Sequence, residues 1–258
     1  MGERTQYAPG TFSWTDLSTT DQDAAKRFYA GVFGWEAQDL PVDENTVYSM
    51  QLLDGKPVAA ISPQPQQQRE AGVPPVWNSY VTVESADAAV DKAKELGGSA
   101  HAPAFDVMDA GRMGVLQDPT GAFFMVWEAK QTIGAGLVNA PGALSWNELA
   151  TPDLDAAQAF YGGLFGWQFS SFGGSEMPYF VIQNGDRSNG GIRAPQPGEP
   201  PYWLAYLGTD DTDASLAKVE ELGGVRLTDA MDLPMGRIAV VRDPQGAVFA
   251  LYSGQFEP

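Results

Sequence analysis

Two short patterns in the sequence place a carboxylate two residues after a tryptophan, as Trp14-x-Asp16 and Trp146-x-Glu148. Side chains two residues apart on a strand share a face, so each carboxylate would lie beside an aromatic ring. A carboxylate among apolar rings has a raised pKa and can act as a general acid or base. Aromatic walls around one carboxylate also suit a flat or cationic organic molecule, through stacking and cation–π contacts.

The composition restricts the chemistry that the chain can perform. Its 258 residues include one histidine, His101, and no cysteine. Transition metals favour imidazole and thiolate beside carboxylate, so the sequence is poor in the ligands that such metals prefer, and it lacks disulfides and cysteine nucleophiles. A site for Mg²⁺ or Ca²⁺ built from carboxylates alone stays open. His101 lies in a Gly/Ser/Ala/Pro stretch, and we interpret it as a solvated loop residue.

The charge balance and the hydropathy bear on the partners. Fifteen Lys and Arg against 33 Asp and Glu give a net charge of −18. Such a surface repels nucleic-acid phosphates and anionic lipid, so we predict neither nucleic acid nor a membrane as a partner. The sequence has no apolar stretch long enough to span a membrane and no secretory signal pattern, so we expect a cytoplasmic protein.

The sequence is an internal repeat. Gly10 to Trp35 aligns without a gap with Gly142 to Trp167, and 15 of these 26 positions are identical. Later motifs recur in the same order, namely Glu-Leu-Gly-Gly at 95–98 and 221–224 and Asp-Pro-x-Gly at 118–121 and 243–246. We therefore predict two domains, 10–129 and 142–254, joined by a Gly/Ala-rich linker over 130–141.

Each copy divides again into strand, helix and three strands, twice. In the first copy, Thr20 or Asp21 is expected to cap a helix that ends at Gly34, and Ser85 a second helix that ends at Gly97. The polar stretch 62–75 is expected to be a loop. The modules span about 10–63, 76–128, 142–195 and 202–253, which predicts an α+β protein of four βαβββ modules.

This ordered set of motifs, present twice, resembles the vicinal oxygen chelate superfamily, the glyoxalase / bleomycin-resistance / dioxygenase group. It is most similar to two-copy actinobacterial members that are often called glyoxalase-like or hydroxylase. The resemblance implies curved mixed sheets around two cups, each of which holds a divalent metal in the metal-dependent members. The four ligand positions of those members correspond here to Trp14, Asn78, Met125 and a residue near Ala60, and in the second copy to Trp146, Leu204, Ala250 and a residue near Gly191. None is His, Glu or Asp, so we expect no metal and no cofactor.

Two residues along each strand from these positions, the same face carries further polar and aromatic side chains. From them we predict four candidate catalytic residues: Asp16, Glu148, Tyr80 and Tyr206. The predicted ligand-binding residues are Trp14, Trp146, Asn78, Met125, Trp127, Leu204, Tyr252, Arg112 and Arg237. The two arginines would hold an anionic group.

Structural roles for the same residues stay open. The Trp pair can simply fill the volume that a metal site would otherwise occupy. The two acids can cap a neighbouring turn, and the two arginines can pair with surface acids.

Three classes of function remain. The first is a module that binds a small organic molecule for sequestration, sensing or resistance. The second is a metal-independent isomerase, lyase or hydroxylase-like enzyme that uses Asp16 or Glu148. A metal-dependent glyoxalase-like lyase or dioxygenase ranks after it as a further alternative. The third is a purely structural or interaction protein. A two-copy chain can close on itself, so we expect a monomer with an internal pseudo-two-fold axis, or a homodimer.

Overall fold

The fold consists of two mixed nine-stranded sheets, one in each copy of the repeat. The computed structural model describes residues 2–44, 46–172 and 178–256. The two modules of a copy join through their first strands. In the first sheet the strands are ordered β2-β3-β4-β1-β5-β9-β8-β6, with β7 beside β8, and the second sheet has the same order, β11-β12-β13-β10-β14-β18-β17-β15, with β16 beside β17.

The elements of the first copy follow the predicted order with two additions, the short helix α2 and the two-residue strand β6. They are β1 (Phe12–Thr19), α1 (Gln22–Phe33), β2 (Glu36–Pro41), β3 (Val47–Leu53), β4 (Lys56–Pro63), α2 (Gln66–Glu70), β5 (Val76–Thr82), α3 (Ala86–Glu95), β6 (Ser99–Ala100), β7 (Phe105–Val107), β8 (Gly111–Gln117) and β9 (Phe123–Ala129).

The second copy repeats this order without a counterpart of α2 among its described residues. Its elements are β10 (Leu144–Ala150), α4 (Leu154–Phe165), β11 (Gln168–Phe172), β12 (Tyr179–Asn184), β13 (Arg187–Arg193), β14 (Tyr202–Gly208), α5 (Thr212–Glu221), β15 (Val225–Arg226), β16 (Met231–Leu233), β17 (Gly236–Arg242) and β18 (Val248–Gly254). This is the tandem α+β fold that the sequence predicts.

Helix α1 begins and ends where its capping residues require. The Asp21 side chain accepts a hydrogen bond from the backbone N–H of Ala24 at 2.9 Å, which satisfies a free N–H of the first turn. Gly34 ends the helix with φ of 73°, a left-handed conformation that glycine adopts at little cost. Asp153 and Gly166 cap α4 in the same way.

The expected loop over 62–75 is wrong in part. Strand β4 continues to Pro63, and Gln66–Glu70 forms the short helix α2. Its Gln and Glu residues favour a helix, and Gln66 Nε2 donates to Glu70 Oε1 at 2.7 Å across one turn. Composition alone suggested a surface loop because Pro and Gln are also common in loops.

The hydrophobic core is shared between the two copies. Helix α1 lies against the outer face of its own sheet, where Tyr29 contacts Trp77, and also against Phe249 of the second sheet. Helix α4 makes the reciprocal contacts, with Tyr161 against Trp203 and Phe124. The outer faces of the sheets therefore pack together through the helices, and each inner face remains as the wall of a cup. In the described chain, no helix is both long and apolar enough to cross a membrane.

Candidate functional site

The inner face of the first sheet brings the predicted site residues of the first copy together. Asp16 lies opposite Asn78, and Trp14 lies opposite Tyr80, in the antiparallel pair of β1 and β5. On the far side of β5, Tyr80 pairs with Met125, and Trp127 follows two residues later on the same face. We call this face the first cup, and the equivalent face of the second sheet the second cup.

The Asp16 carboxylate is the polar centre of the first cup. Asn78 Nδ2 donates to its Oδ1 at 2.8 Å, and the Tyr80 hydroxyl donates to its Oδ2 at 2.7 Å. A third donor is Tyr48 of β3, whose hydroxyl lies 3.0 Å from Oδ2. Tyr48 in turn accepts a bond from Trp14 Nε1 at 2.9 Å. The Trp14 indole is thus part of a polar network and does not only fill volume.

All three hydrogen bonds to Asp16 come from neutral groups. Burial raises the pKa of the Asp16 carboxyl, and the hydrogen bonds from Asn78, Tyr80 and Tyr48 offset only part of that shift. Burial, and then the charge of Asp16, raise the pKa of Tyr80 and of Tyr48 well above the ordinary value of tyrosine. Both phenols therefore stay protonated, and the Asp16 carboxyl keeps its proton to a higher pH than an exposed aspartate does.

The second cup carries the same aromatic frame around Glu148. Tyr206 donates to Glu148 Oε2 at 3.0 Å, and Trp146 Nε1 donates to the Tyr179 hydroxyl at 3.0 Å. Trp146 lies opposite Tyr206, as Trp14 lies opposite Tyr80 in the first copy. Leu204 stands where the first cup has Asn78, and its side chain is buried.

A cation neutralises the carboxylate of the second cup. Arg193 Nε donates to Glu148 Oε1 at 2.6 Å, and its two terminal nitrogens each lie 2.7 Å from an oxygen of Glu199. Burial alone would lower the pKa of Arg193, but Glu199 and Glu148 raise it above its ordinary value. The second cup is therefore built around a Glu–Arg–Glu ion triad, and the first cup around a carboxylate with neutral partners.

The donor set of either cup does not fit a divalent metal. Trp14, Met125 and Ala60 offer no oxygen or imidazole ligand, and the Asn78 amide turns its N–H₂ toward Asp16. The four positions of the second copy are Trp, Leu, Ala and Gly. Within residues 2–44, 46–172 and 178–256, no group of three or more His, Asp or Glu is arranged to hold a metal ion.

Arg112 and Arg237 lie outside the cups. Arg112 is on the outer face of β8, where Nε and one terminal nitrogen contact the two oxygens of Asp87 at 2.8 and 2.9 Å. Arg237 contacts Asp213 of α5 and Asp232 in the same way. Both guanidinium groups hold a helix N-terminus to the sheet, and the structure does not bring them to the carboxylate networks.

Sequence reasoning missed three residues of the site: Tyr48, Tyr179 and Arg193. Tyr48 and Tyr179 occupy equivalent positions, since Leu40 pairs with Tyr48 and Phe172 with Tyr179 on the adjoining strands. Aligning the third strands of the two copies would have shown this tyrosine pair. Arg193 has no counterpart in the first copy, so the repeat gives no signal for it.

Exposed apolar side chains are concentrated on the inner faces. Of the twelve large hydrophobic side chains that the described chain exposes, seven belong to the inner faces by strand register. They are Leu40, Phe105, Phe123, Phe172, Val225, Met231 and Leu233. Leu40 and Phe172 are equivalent in the repeat, as are Phe105 and Met231. Each inner face thus carries exposed apolar side chains, which we call the rim, and buried or half-buried aromatic side chains, which we call the floor.

A crevice of about 640 Å³ lies beside the second cup. The N-terminal segment 4–9, linker residues 138–139 and the hairpin 184–189 line it, and it touches the cup at Trp146. Its volume is typical of small-molecule pockets, but its lining includes neither Asp16 nor Glu148. Trp146 and Tyr252 are half-buried, whereas Trp14 and Trp127 of the first cup are buried.

Comparison with known proteins matches both copies to one group of domains. Residues 11–126 match the glyoxalase/bleomycin resistance protein/dioxygenase superfamily, and residues 147–252 match the glyoxalase-like domain. The chain is 47% identical over 255 residues to CFP32 of Mycobacterium tuberculosis, whose name describes it provisionally as a glyoxylase, with 97% of each chain covered.

Two further similarities concern a biosynthetic protein and a solved structure. The anthracycline biosynthesis protein DauV of Streptomyces sp. strain C5 is 33% identical over 263 residues, covering 96% of this chain and 94% of DauV. The Mn(II)-bound glyoxalase of Novosphingobium aromaticivorans has the same fold, with a TM-score of 0.66 and 17% identity over 98% of this chain and 83% of that one.

Proposed function

Because the chain belongs to the glyoxalase/bleomycin resistance protein/dioxygenase superfamily, we propose that it binds a small aromatic or cationic organic molecule in its cups. The observation that carries this proposal is the apolar rim above each aromatic floor. Phe105 and Met231 expose apolar surface to water, and a ligand that contacts both rim and floor would cover that surface. Removing apolar surface from water favours binding.

The relatives support the same class of ligand. DauV is named for anthracycline biosynthesis, and anthracyclines are flat, fused aromatic compounds. Such a molecule suits walls built from Trp14, Tyr80 and Trp127 in the first cup and from Trp146, Tyr206 and Tyr252 in the second. Sequestration, sensing or resistance would each use binding of this kind without chemistry. A cytoplasmic location and a monomeric or homodimeric state belong to the same proposal.

A metal-independent enzyme is the second candidate, and one observation favours it. The buried Asp16 carboxyl has a raised pKa and lies within hydrogen-bond distance of two phenols, Tyr48 and Tyr80. That arrangement can take a proton from a bound substrate and return it, as an isomerase or lyase requires. Glu148 and Tyr206 would be the equivalent pair of the second cup. Asp16→Asn would abolish turnover and keep ligand affinity if this candidate is correct.

The test of binding combines a ligand screen with matched variants. Native mass spectrometry of the tag-free protein weighs any co-purified compound, and a thermal-shift screen of fused aromatic compounds finds further ligands, since a ligand of the folded state raises Tm. Phe105→Ser should weaken a first-cup ligand, and Phe172→Ser a second-cup ligand, each by about tenfold.

The matched control for these rim variants is Arg112→Gln. Arg112 lies on the outer face, so its removal should leave the affinity unchanged. No shift of Tm with any compound, or rim variants that bind as the wild type does, would count against the proposal.

A further inference from the structure

The buried carboxylate has a cationic partner in the second cup and only neutral partners in the first, and this difference arises at one position of the fold. Ala60 of β4 pairs with Asp16, and Ser62 follows it on the same face. Gly191 of β13 pairs with Glu148, and Arg193 follows it on the same face. Ser62 and Arg193 are therefore equivalent. The second copy has a guanidinium at a position where the first copy has only a hydroxymethyl group.

In the first cup Asn78 supplies the hydrogen bond that Arg193 supplies in the second cup, but the Asn78 amide carries no charge. In the second cup Arg193 Nε binds Glu148 Oε1, and the neighbouring strand contributes the apolar Leu204. In the first cup Asn78 Nδ2 binds the corresponding oxygen, Asp16 Oδ1. A neutral amide satisfies an acceptor, but it does not compensate the desolvation of a negative charge.

No cation of the described chain compensates Asp16. Its side-chain partners are Asn78, Tyr80 and Tyr48, all neutral. Asp16 as a residue is only 5% exposed, so water solvates little of its carboxylate. A carboxylate has room for about four hydrogen bonds, and Asp16 accepts three, with Oδ1 accepting only one of them. No side-chain hydrogen bond of the described residues uses the second acceptor position of Oδ1.

We infer that the first cup binds an organic cation whose ammonium, amidinium or guanidinium group takes, beside Asp16, the position that the Arg193 guanidinium takes beside Glu148. This rests on the proposed function and specifies it. Tyr48 and Tyr80 bond the carboxylate through their hydroxyls, and Trp14 bonds Tyr48, so three aromatic side chains belong to the site. Aromatic rings stabilise a cation through their π faces. The second cup supplies its own cation, so it selects a neutral ligand. The net charge of −18 further attracts a cationic ligand.

The experiment compares benzamidine, a planar aromatic cation, with benzamide, its neutral counterpart of the same shape. Isothermal titration of the full chain should give one benzamidine site, at least tenfold tighter than benzamide. Asp16→Asn should remove that preference. Ser62→Arg should abolish benzamidine binding, because the introduced guanidinium fills the position.

A stability readout separates charge compensation from steric blocking. Ser62→Arg should raise Tm in the wild-type background, where its charge compensates Asp16, and not in the Asp16→Asn background. Ser62→Met has a side chain of similar length without a charge, so it should raise Tm in neither background. Arg193→Ser should add a second benzamidine site. If that variant does not fold by itself, added methylguanidine should restore a cooperative thermal transition.

Equal affinity for benzamidine and benzamide would overturn the inference and leave an aromatic-binding cup in place. Binding of neither compound would count against the inference and the proposed function together. A gain of Tm in Ser62→Arg that persists without Asp16 would also overturn the inference.

Discussion

The hydroxyl of Tyr161, in the second copy of the repeat, donates a hydrogen bond to Oδ2 of Asp118 in the first copy at 3.0 Å. Tyr29 stands in the same relationship to Asp243, also at 3.0 Å, in the opposite direction across the molecule. The other oxygen of Asp243 accepts the backbone N–H groups of the following turn. Two buried carboxylates therefore depend on a phenol supplied by the other copy.

Removing one of these phenols should destabilise the whole chain. Tyr29→Phe leaves Oδ2 of Asp243 and Nε1 of Trp77 without a partner in a buried environment. We expect the free energy of unfolding to fall by about 1–3 kcal/mol, measured by urea denaturation. Tyr7→Phe is the control, since its hydroxyl serves one partly buried carbonyl. An equal loss of unfolding free energy in Tyr29→Phe and Tyr7→Phe would contradict the assigned role of Tyr29.

Neither copy should fold on its own. Helix α1 packs on Phe249 of the second sheet, and helix α4 packs on Phe124 of the first, so each isolated half would expose aromatic surface that the other half covers. Residues 1–141 and 142–258, expressed separately, should show little near-UV circular dichroism. Mixing them should restore the signal with a one-to-one stoichiometry. A well-dispersed NMR spectrum of either half alone would show that its core is independent.

The contribution of Asp16 to stability should depend on pH in a fixed direction. Its pKa is raised in the folded state, so the folded protein holds this proton more tightly than the unfolded chain. The contribution of Asp16 to the free energy of unfolding is therefore greatest below the ordinary pKa of aspartate. It is lost as pH rises through the raised pKa that Asp16 has in the folded protein.

Subtracting the stability of Asp16→Asn from that of the wild type isolates this group from the other acids. The difference, measured by urea denaturation from about pH 4 to about pH 8, should decrease with pH and then level off. A difference that grows with pH would mean that the carboxylate is stabilised by a cation.

Arg193 should be among the most costly residues of the second cup to remove. Arg193→Met leaves Glu148 and Glu199 buried without their cation, and loss of one partner of such a cluster costs about 3–5 kcal/mol. Adding Glu148→Gln should recover part of that cost. Arg226→Met, which removes a largely exposed pair with Glu220, is the matched control and should have a much smaller effect.

The same cluster should make the second cup sensitive to acid. Burial opposes ionisation of Glu199, but the hydrogen bonds from Arg193 and from the backbone N–H of Gln196 outweigh it and lower the pKa of Glu199. A lowered carboxyl pKa gives stability that is present above the unfolded value and is lost as pH falls through the folded value. The loss of unfolding free energy caused by Arg193→Met should therefore be smaller at low pH. Urea denaturation of both proteins at two pH values would measure this.

Much of the fold follows from local signals in the sequence. Asp21 with Gly34, and Asp153 with Gly166, define two helices because capping depends on residues within a few positions. The repeat then doubles every such signal. The short helix Gln66–Glu70 was not predicted, because five residues carry no apolar periodicity that would distinguish a helix from a loop.

The site was less predictable because its contacts run across strands. Asp16 and Tyr80 are predicted to share a face because each follows, by two residues, a ligand position that the resemblance implies. Tyr48 reaches Asp16 from β3, two strands away from β1 in the sheet, and no such position marks it. Arg193 reaches Glu148 from a strand end that the repeat does not mark. Sequence spacing gives the face of a residue, whereas the length and direction of its side chain decide which neighbour it contacts.

The reciprocal bonds of Tyr29 and Tyr161 also constrain how this duplicated chain can evolve. Deleting either copy would remove the phenol that bonds an aspartate of the surviving copy and would expose the aromatic surface beside it, so the duplication is not easily reversed. Substitutions on the inner faces leave those bonds intact. One cup could thus acquire Arg193 while the other kept Ser62, which lets the two inner faces of a single gene product diverge on one inherited scaffold.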